Sequence, residues 1–369
     1  MHLNPAQLDA VTRQGIQLIL AGPGSGKTRV ITEKIRYLIS MGVPPSNILA
    51  LTFSDKAAQE MRDRLDSVPQ SADLTVSTFH SFCLSVLEEN RLDSGINFSS
   101  GVISRANQLV WGLKNIDSFG FEHIEVGNNA VDVIEAIIDG ISAFRDELIS
   151  PDELAHYLKK KENVTVSAEE SAYLEKLSDL IKVYRAYERF KREEMLLDYD
   201  DMIHETCRLF ERKPLILRRY RERFTHILVD EFQDTNYAQL QLIKMLAGDH
   251  LCVVGDDDQT IYRFRGAYLT NMQDFLQHFR DAQVILLTHN YRSTQTILTL
   301  ALALMRHVPN RREKQLLTDN PPGEPVKVVH CENETTEASY VIGEIERLLG
   351  TRFLSRREKV ERPYTYKDF

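Results

Sequence analysis

Apolar residues recur along the chain in short runs, and between these runs they are spaced three or four residues apart. The first run covers residues 16–20 and has the length and composition of a buried strand. Helical spacing follows at these apolar positions: Val30, Ile31, Ile35, Leu38 and Ile39. Further strand-like runs occupy residues 48–51, 74–76, 224–229, 251–254, 284–287 and 326–329. This alternation predicts an α/β fold in which helices cover both faces of a parallel sheet.

The pattern changes between residues 91 and 198, where strand signals stop and helical periodicity dominates. The clearest helix carries apolar and aromatic residues at three- and four-residue steps: Leu174, Leu177, Ile181, Tyr184, Tyr187 and Phe190. We interpret this region as a helical subdomain inserted into the α/β domain, with Trp111 in its core. Asp198, Asp200 and Asp201 precede the next helix, and we expect them to cap it rather than to bind a metal.

A glycine-rich segment, Ala21-Gly22-Pro23-Gly24-Ser25-Gly26-Lys27-Thr28, joins the first strand to the helix that follows it. Glycines let the backbone curl so that its N–H groups point at phosphate oxygens, and the helix N-terminus adds partial positive charge. In such a loop Lys27 reaches the β- and γ-phosphates of a nucleotide, and the Thr28 hydroxyl binds Mg²⁺. The segment therefore predicts a P-loop, with an ordinary glycine-rich turn as the alternative.

Two adjacent acids, Asp230 and Glu231, follow the apolar run at residues 224–229. The carboxyl ends of parallel strands are where open α/β sheets bind ligands. A strand that ends in Asp-Glu is the Walker B arrangement, in which Asp230 holds Mg²⁺ and Glu231 polarises the attacking water. Side chains alternate along an extended strand end, which predicts separate roles for the two acids. The alternative is a cap for the helix predicted at 237–246.

Other strand ends carry amides, hydroxyls and aromatic side chains. Gln7, in a short helix that Asn4 is expected to cap, can pair with adenine through one donor and one acceptor, or can be a solvated helix residue. Phe53 can stack a base or belong to the core, and His80 can contact a phosphate or be structural. The segment 255–267 combines Gln259 with interleaved aromatic residues and arginines, which are typical of single-strand binding, although the aromatic residues can also be core.

Composition narrows the function classes. The net charge is −9 and the pI is near 5.7, so a nucleic-acid site must be a local groove rather than a basic surface. No apolar run approaches the ~20 residues that span a bilayer, and no signal peptide is recognised. The four cysteines are scattered without a C-x-x-C pair, which favours reduced thiols in the cytoplasm and no zinc or iron–sulfur site.

Taken together, these segments resemble the UvrD/Rep/PcrA family of superfamily 1 DNA helicases. The matching segments occur in the family's order, at residues 3–11, 21–30, 51–61, 77–83, 227–236, 253–267 and 286–294. The resemblance implies an enzyme that binds ATP and Mg²⁺ between two RecA-like domains. It also implies movement 3′→5′ along single-stranded DNA, action at junctions between single- and double-stranded DNA, and a role in DNA repair or replication.

The resemblance assigns roles to individual residues. The catalytic set is Lys27, Asp230, Glu231, Gln259 as the γ-phosphate sensor and Arg292, which reaches the γ-phosphate from the second domain. The ATP-binding set, with Gln7 on the adenine and Arg29 and Tyr291 flanking it, is Gln7, Gly22, Gly24, Ser25, Gly26, Lys27, Thr28, Arg29, Tyr291 and Arg292. Thr28 and Asp230 are the implied Mg²⁺ ligands. The implied DNA track is Phe53, Thr78, His80, Tyr262, Phe264 and Arg265.

The implied domain organisation has three parts. Residues 1–90 and 199–280 form a first RecA-like domain, residues 91–198 the helical accessory subdomain, and residues 281–369 the start of a second RecA-like domain. Ser54-Asp55 stands where the family usually has Thr-Asn, and Phe264 where many members have Trp. The last two helicase motifs are missing, so we expect an N-terminal part of a longer helicase. The alternatives are a nucleotide- and single-strand-binding module with little turnover, or a nucleotidase that acts on another polymer, such as RNA.

Overall fold

The strands and helices follow one another in the alternating order that the apolar pattern predicts. The computed structural model describes residues 3–95, 101–161, 167–259, 271–308, 314–355 and 360–369. The strands are β1 (Ile16–Ala21), β2 (Ile48–Thr52), β3 (Thr75–Thr78), β4 (His226–Val229), β5 (His250–Gly255), β6 (Gln283–Leu287), β7 (Arg352–Ser355) and β8 (Val360–Pro363). The helices are α1 (Pro5–Thr12), α2 (Lys27–Ser40), α3 (Asp55–Leu65), α4 (Phe79–Glu89), α5 (Arg91–Ser94), α6 (Arg105–Asn115), α7 (Ala130–Asp146), α8 (Pro151–Lys161), α9 (Ala168–Glu194), α10 (Tyr199–Arg212), α11 (Pro214–Arg223), α12 (Tyr237–Leu246), α13 (Asn271–His278), α14 (Gln295–Met305) and α15 (Glu334–Leu348).

Six strands form one sheet in the order β3-β2-β4-β5-β1-β6, and every pairing in it is parallel. Parallel strands present their carboxyl ends at the same edge of a sheet. The loops after β1, β4 and β5 therefore meet at that edge, with β5 between the other two strands. The predicted α/β class is confirmed, and the arrangement is that of a RecA-like domain.

Helices pack on both faces of the sheet because successive strand residues point to opposite sides. The core beneath α1, α2 and α3 includes Ile19, Ala50, Leu228, Val254, Ile35 and Met61. The core beneath α4, α10, α11, α12 and α13 includes Leu18, Leu51, Val229, Val253, Phe82 and Phe210. Both sheet faces are covered, so the apolar strands read as continuous runs in the sequence.

The region between α4 and α10 is helical and has its own core, as predicted. The longest helix, α9, has 27 residues. Trp111 lies partly buried in this core, with its ring 4.9 Å from Tyr187 and 5.3 Å from Phe190 between centroids. Asp198 caps α10 in a capping box with Asp201, so the predicted capping role is confirmed for these two acids.

β6 belongs to the same sheet as β1, although the predicted division at residue 281 gives it to a second domain. Its residues pair with β1 from Gln17 to Ala21, where Ala21 lies opposite Leu287. Ile285 and Leu287 are buried, which fixes β6 as the edge strand of this sheet. The first sheet therefore extends to Leu287.

One prediction for the C-terminal region is wrong. Residues 326–329 pair with no strand in the described part of the chain, and Val328 is 95% exposed. A run of valines predicts a strand only where a partner strand supplies hydrogen bonds. The last long helix begins at Glu334, where the Asn333 side chain caps it through the backbone N–H of Thr336. β7 and β8 form an antiparallel hairpin that the sequence analysis missed.

Among the helices that the structure describes, none combines the length and the apolar composition needed to cross a bilayer.

Candidate nucleotide-binding site

The loop between β1 and α2 has the backbone conformation of a phosphate-binding loop. Gly24 and Gly26 have φ angles of +66° and +87°, values that L-residues with a side chain rarely adopt. A Cβ atom at Gly24 would also lie 2.7 Å from Cβ of Arg292, and one at Gly22 would overlap the Leu316 side chain. The glycines are therefore required by both conformation and close packing.

Internal hydrogen bonds hold this loop. The Ser25 hydroxyl donates to the Gly22 carbonyl over 2.7 Å, and Ser25 is buried. Helix α2 begins at Lys27 directly after the loop, so its first N–H groups face the space that the loop encloses. Such a cradle of backbone donors at a helix N-terminus fits a phosphate group.

Lys27 and the Asp-Glu pair meet at the carboxyl edge of the sheet. The Lys27 Nζ atom lies 2.9 Å from Oε2 of Glu231, and the Thr28 side chain forms a hydrogen bond with the buried Asp230 carboxylate. Glu231 is not extended, as the sequence analysis assumed, but left-handed, with φ +49° and ψ +44°. This turn still separates the two acids, because Asp230 faces Thr28 and Glu231 faces Lys27.

Burial raises the pKa values of two carboxyl groups at this edge, those of Asp230 and Asp234. Loss of hydration raises the pKa of Asp230 to about 7, and the neighbouring Glu231 charge adds to the effect, while Lys27 and Thr28 oppose it. The pKa of Asp234 is raised to about 6 for the same first cause. A divalent cation beside Asp230 and Thr28 would compensate the buried charge, and both ligand atoms are oxygens, which Mg²⁺ prefers. The residues present therefore fit this ion.

Gln233 connects the Asp-Glu pair to the end of β5, a role that the sequence analysis missed. Its Nε2 atom donates to Glu231 Oε2 over 2.8 Å, and its Oε1 atom accepts the backbone N–H of Asp256 over 2.9 Å. Gly255 leaves room for this contact, since a Cβ atom there would lie 2.8 Å from Gln233 Oε1. A glutamine two residues after the Asp-Glu pair was the available signal.

Gln259 lies in a short 3₁₀ turn after β5, partly buried. Its Nε2 atom donates to Asp256 Oδ2 over 2.6 Å. Asp256 therefore contacts both glutamines, Gln259 through its carboxylate and Gln233 through its backbone N–H. The rest of the predicted aromatic and arginine segment, Tyr262, Phe264 and Arg265, lies outside the described residues.

Gln7 and Tyr291, predicted to contact adenine, lie close to one another beside the phosphate loop. Gln7 is buried, and its amide accepts from the Asn4 backbone N–H and donates to the Ser25 carbonyl over 2.9 Å. The solvated alternative for Gln7 is therefore wrong. Asn4 caps α1 as predicted and also donates to the Tyr291 hydroxyl over 2.8 Å. Arg29, in the first turn of α2, is half-buried on the same side.

Asn290, which the sequence analysis did not single out, ties the loop after β6 to the phosphate loop. Its Nδ2 atom donates to the Pro23 carbonyl over 2.7 Å, and its Oδ1 atom accepts the backbone N–H groups of Arg292 and Ser293. The Tyr291 N–H donates to the Gly24 carbonyl over 2.9 Å. These contacts bring the exposed Arg292 next to the loop.

The described part of the predicted DNA track lies at the carboxyl ends of two adjacent strands. Thr52 and Thr78 are register partners of β2 and β3, so Phe53 and His80 follow at the same edge. Phe53 is 37% exposed, which excludes the core alternative. Thr78 is buried and caps α4 through Ser81 N–H. Burial lowers the pKa of His80, which favours a neutral ring.

Two family models match this chain. A model of the UvrD/REP helicase N-terminal domain matches residues 3–280, and a model of the UvrD-like helicase C-terminal domain matches residues 285–362. The chain is 39% identical over 360 residues to the ATP-dependent DNA helicase PcrA of Bacillus subtilis, which covers 95% of this chain and 45% of that protein.

Proteins of the same name from Staphylococcus aureus and Staphylococcus epidermidis are 38% identical over 355 residues, with 93% of this chain and 45% of each relative covered. The chain thus spans less than half the length of these relatives. The matched region includes the phosphate loop, the Asp-Glu pair and the loop after β6, and the chain belongs to the UvrD/REP helicase family.

Proposed function

We propose that this protein is an ATP-driven motor that moves 3′→5′ along single-stranded DNA and opens duplexes at junctions with single strands. The observation that supports the proposal best is the meeting of Lys27 with the Asp230-Glu231 pair at the carboxyl edge of the sheet. A phosphate cradle, a metal-binding carboxylate and a water-activating carboxylate are the parts that phosphoryl transfer needs.

In this proposal each residue of the phosphate site has a defined task. Backbone N–H groups from Gly24 to Thr28 and the Lys27 ammonium hold the β- and γ-phosphates. Thr28 and Asp230 hold Mg²⁺, which when bound supplies neutralising charge at the phosphate oxygens. Glu231 accepts a proton from the attacking water.

Residues on the adjacent loops complete the proposed ATP site. Gln7, Arg29 and Tyr291 surround the base, and Gln7 retains one amide hydrogen and one oxygen lone pair after its contacts with the protein. Gln259 responds to the γ-phosphate, and Arg292 contributes a permanent positive charge to it. Arg292 is exposed and adjacent to Gly24, a position from which it can reach a phosphate.

Nucleic acid is proposed to cross the same edge of the sheet. Phe53 offers an exposed ring for base stacking, and the N-terminus of α3 offers backbone N–H groups for a phosphate. Thr78 shapes the start of α4, and His80 lies beside it. Tyr262, Phe264 and Arg265 are proposed to extend this track. The cellular role that we propose is DNA repair or replication in the cytoplasm.

The proposal is tested by measuring ATP hydrolysis by the chain with and without single-stranded DNA. We expect Mg²⁺-dependent hydrolysis that single-stranded DNA stimulates. Nucleotide and DNA binding without turnover would instead assign the 369-residue chain the role of a binding module. Stimulation by RNA alone would contradict the DNA preference, and failure to bind ATP would contradict the proposal as a whole.

A further inference from the structure

Three acids after β5 surround one lysine from a distant part of the chain. Carboxylate oxygens of Asp256, Asp257 and Asp258 lie within 4.8 Å of one another. The Lys314 Nζ atom lies 2.7 Å from Asp256 Oδ1 and 3.5 Å from Asp258 Oδ2, and it also contacts Asp257. The lysine ammonium thus occupies the position where a cation would neutralise the cluster.

The pair formed by Lys314 and Asp256 is buried. The Lys314 side chain is 4% exposed and that of Asp256 is 0% exposed. Burial alone would lower the pKa of Lys314, but Asp256 and Asp257 raise it above the usual value, so the lysine stays charged. A buried charge whose partner is removed is left uncompensated, which is costly.

Asp256 also contacts two residues of the region around the proposed ATP site, Gln259 and Gln233. Its Oδ2 atom accepts the Gln259 amide over 2.6 Å. Its backbone N–H donates to Gln233, which in turn donates to Glu231. The hydrogen bonds therefore run without a break from Lys314 through Asp256 to the proposed γ-phosphate sensor and to the proposed base.

The segment that carries Lys314 also contacts the phosphate loop. Leu316 packs over Gly22 so closely that a Cβ atom at Gly22 would overlap it. Two backbone hydrogen bonds hold Leu317. Its N–H donates to the Thr288 carbonyl over 2.9 Å, and its carbonyl accepts the Asn290 N–H over 2.7 Å. These contacts of the neighbouring residues fix the position of Lys314 relative to the phosphate loop.

We propose that Lys314 is a positioning residue of the ATP site, which orients Asp256 so that the Gln259 amide faces the γ-phosphate. This inference rests on the proposed function and adds to it a residue outside the predicted motifs. Without Lys314, three neighbouring carboxylates repel one another, and Asp256 turns away from Gln259. The consequence is a loss of discrimination between ATP and ADP, because the two differ only in the phosphate that Gln259 senses.

The test compares ATP and ADP affinities of the Lys314→Met variant with those of the wild-type chain, using fluorescent nucleotides and Mg²⁺. We expect ATP affinity to fall by about tenfold, the size of one lost hydrogen bond to a charged group, and ADP affinity to stay within about twofold. Lys327→Met is the matched control, since Lys327 is exposed and lies 3.9 Å from Glu344. It should change neither affinity.

A structural role of Lys314 would weaken both nucleotides equally or lower only the thermal midpoint, and either result would overturn the inference. If Lys314→Met does not fold, the double variant Lys314→Met with Asp257→Asn keeps the net charge of the cluster and replaces it in the test. A double variant that folds and retains normal discrimination between ATP and ADP would also overturn the inference. A wild-type chain that binds neither nucleotide would contradict the proposed function itself.

The route through Gln259 is tested by a double-mutant cycle. Gln259→Ala should reduce the preference for ATP by a similar factor, and adding Lys314→Met to it should cause little further loss. Additive losses would mean that Lys314 acts elsewhere and would contradict the inference.

Discussion

The ammonium of Lys27 and the carboxylate of Glu231 form an ion pair with a separation of 2.9 Å. The two side chains are 10% and 33% exposed, so the pair lies at the opening of the phosphate loop. In the proposed function, Lys27 binds phosphate and Glu231 activates water. Any phosphate that binds Lys27 must therefore compete with Glu231 for the ammonium, which releases Glu231 toward the water.

Replacement of Glu231 by glutamine should separate binding from hydrolysis. We expect ATP hydrolysis by Glu231→Gln to fall by roughly 10²–10⁴-fold, the contribution of a general base. ATP affinity should be unchanged or higher, because the charge that competes for Lys27 is gone. Single-turnover hydrolysis and nucleotide titration measure the two effects. Glu33→Gln, which removes an ion-pair partner of Arg36 on the same helix as Lys27, is the control. Hydrolysis at the wild-type rate would refute the role of Glu231.

Replacement of Phe53 by alanine should weaken single-strand binding without unfolding the protein. Base stacking on an aromatic ring contributes about 1–3 kcal/mol per base, so affinity for a short oligonucleotide should fall by at least fivefold or so. The thermal midpoint should change little because Phe53 is 37% exposed. Tyr173→Ala in the helical subdomain, where the ring is 57% exposed, is the control. Equal losses for both variants in a fluorescence anisotropy titration would argue against a specific track.

A buried acid links the helical subdomain to the helix that follows the Asp-Glu pair. Asn236, which caps α12, donates through Nδ2 to Asp146 at the end of α7. Burial raises the pKa of Asp146 to about 7, and Asp200 and Glu147 add to the effect while Asn236 and Arg145 oppose it. The contribution of this group to folding is therefore complete below its unfolded pKa, near 3.9, and is lost as the pH rises through about 7.

The Asp146→Asn variant should be more stable than the wild type at high pH only. At pH 8.5 we expect a gain of roughly 1–3 kcal/mol in the free energy of unfolding, because asparagine keeps the acceptor for Asn236 without the buried charge. At pH 3, below the unfolded pKa, the two proteins should unfold alike. Thermal unfolding at both pH values measures this, with Asp139→Asn as the exposed control. An equal gain in stability at the two pH values would contradict the raised pKa of Asp146.

The sequence predicted those parts of the fold and site that depend on local signals. The phosphate loop, the capped helix at Pro5–Thr12 and the helix at Tyr237–Leu246 each carry their own glycine, cap or apolar period. The strand predicted at residues 326–329 does not form, because strand formation depends on a partner strand that the local sequence does not reveal. The local sequence likewise does not reveal that β6 pairs with β1, which lies more than two hundred residues earlier.

The links between the motifs were beyond sequence reasoning. Gln233, Asn290 and Lys314 contact groups that come from other loops, and only Gln233, two residues after the Asp-Glu pair, has a spacing that could have marked it. Glu231 was expected to be extended, but the left-handed backbone with φ +49° is strained for a residue with a side chain. Such a conformation is set by the surrounding contacts, here those of Lys27 and Gln233, rather than by the residue itself.

In the proposed function, ATP and a nucleic-acid strand bind at neighbouring sites and influence each other. The most direct test measures the affinity of the chain for single-stranded DNA with and without a non-hydrolysable ATP analogue and Mg²⁺, for the wild type and for Lys27→Ala. We predict that the analogue changes DNA affinity by at least about fivefold in the wild type, a coupling typical of linked sites. Lys27→Ala should bind DNA with the affinity that the wild type has without the analogue, and the analogue should not change that affinity. A wild-type DNA affinity that the bound analogue leaves unchanged would contradict the claim.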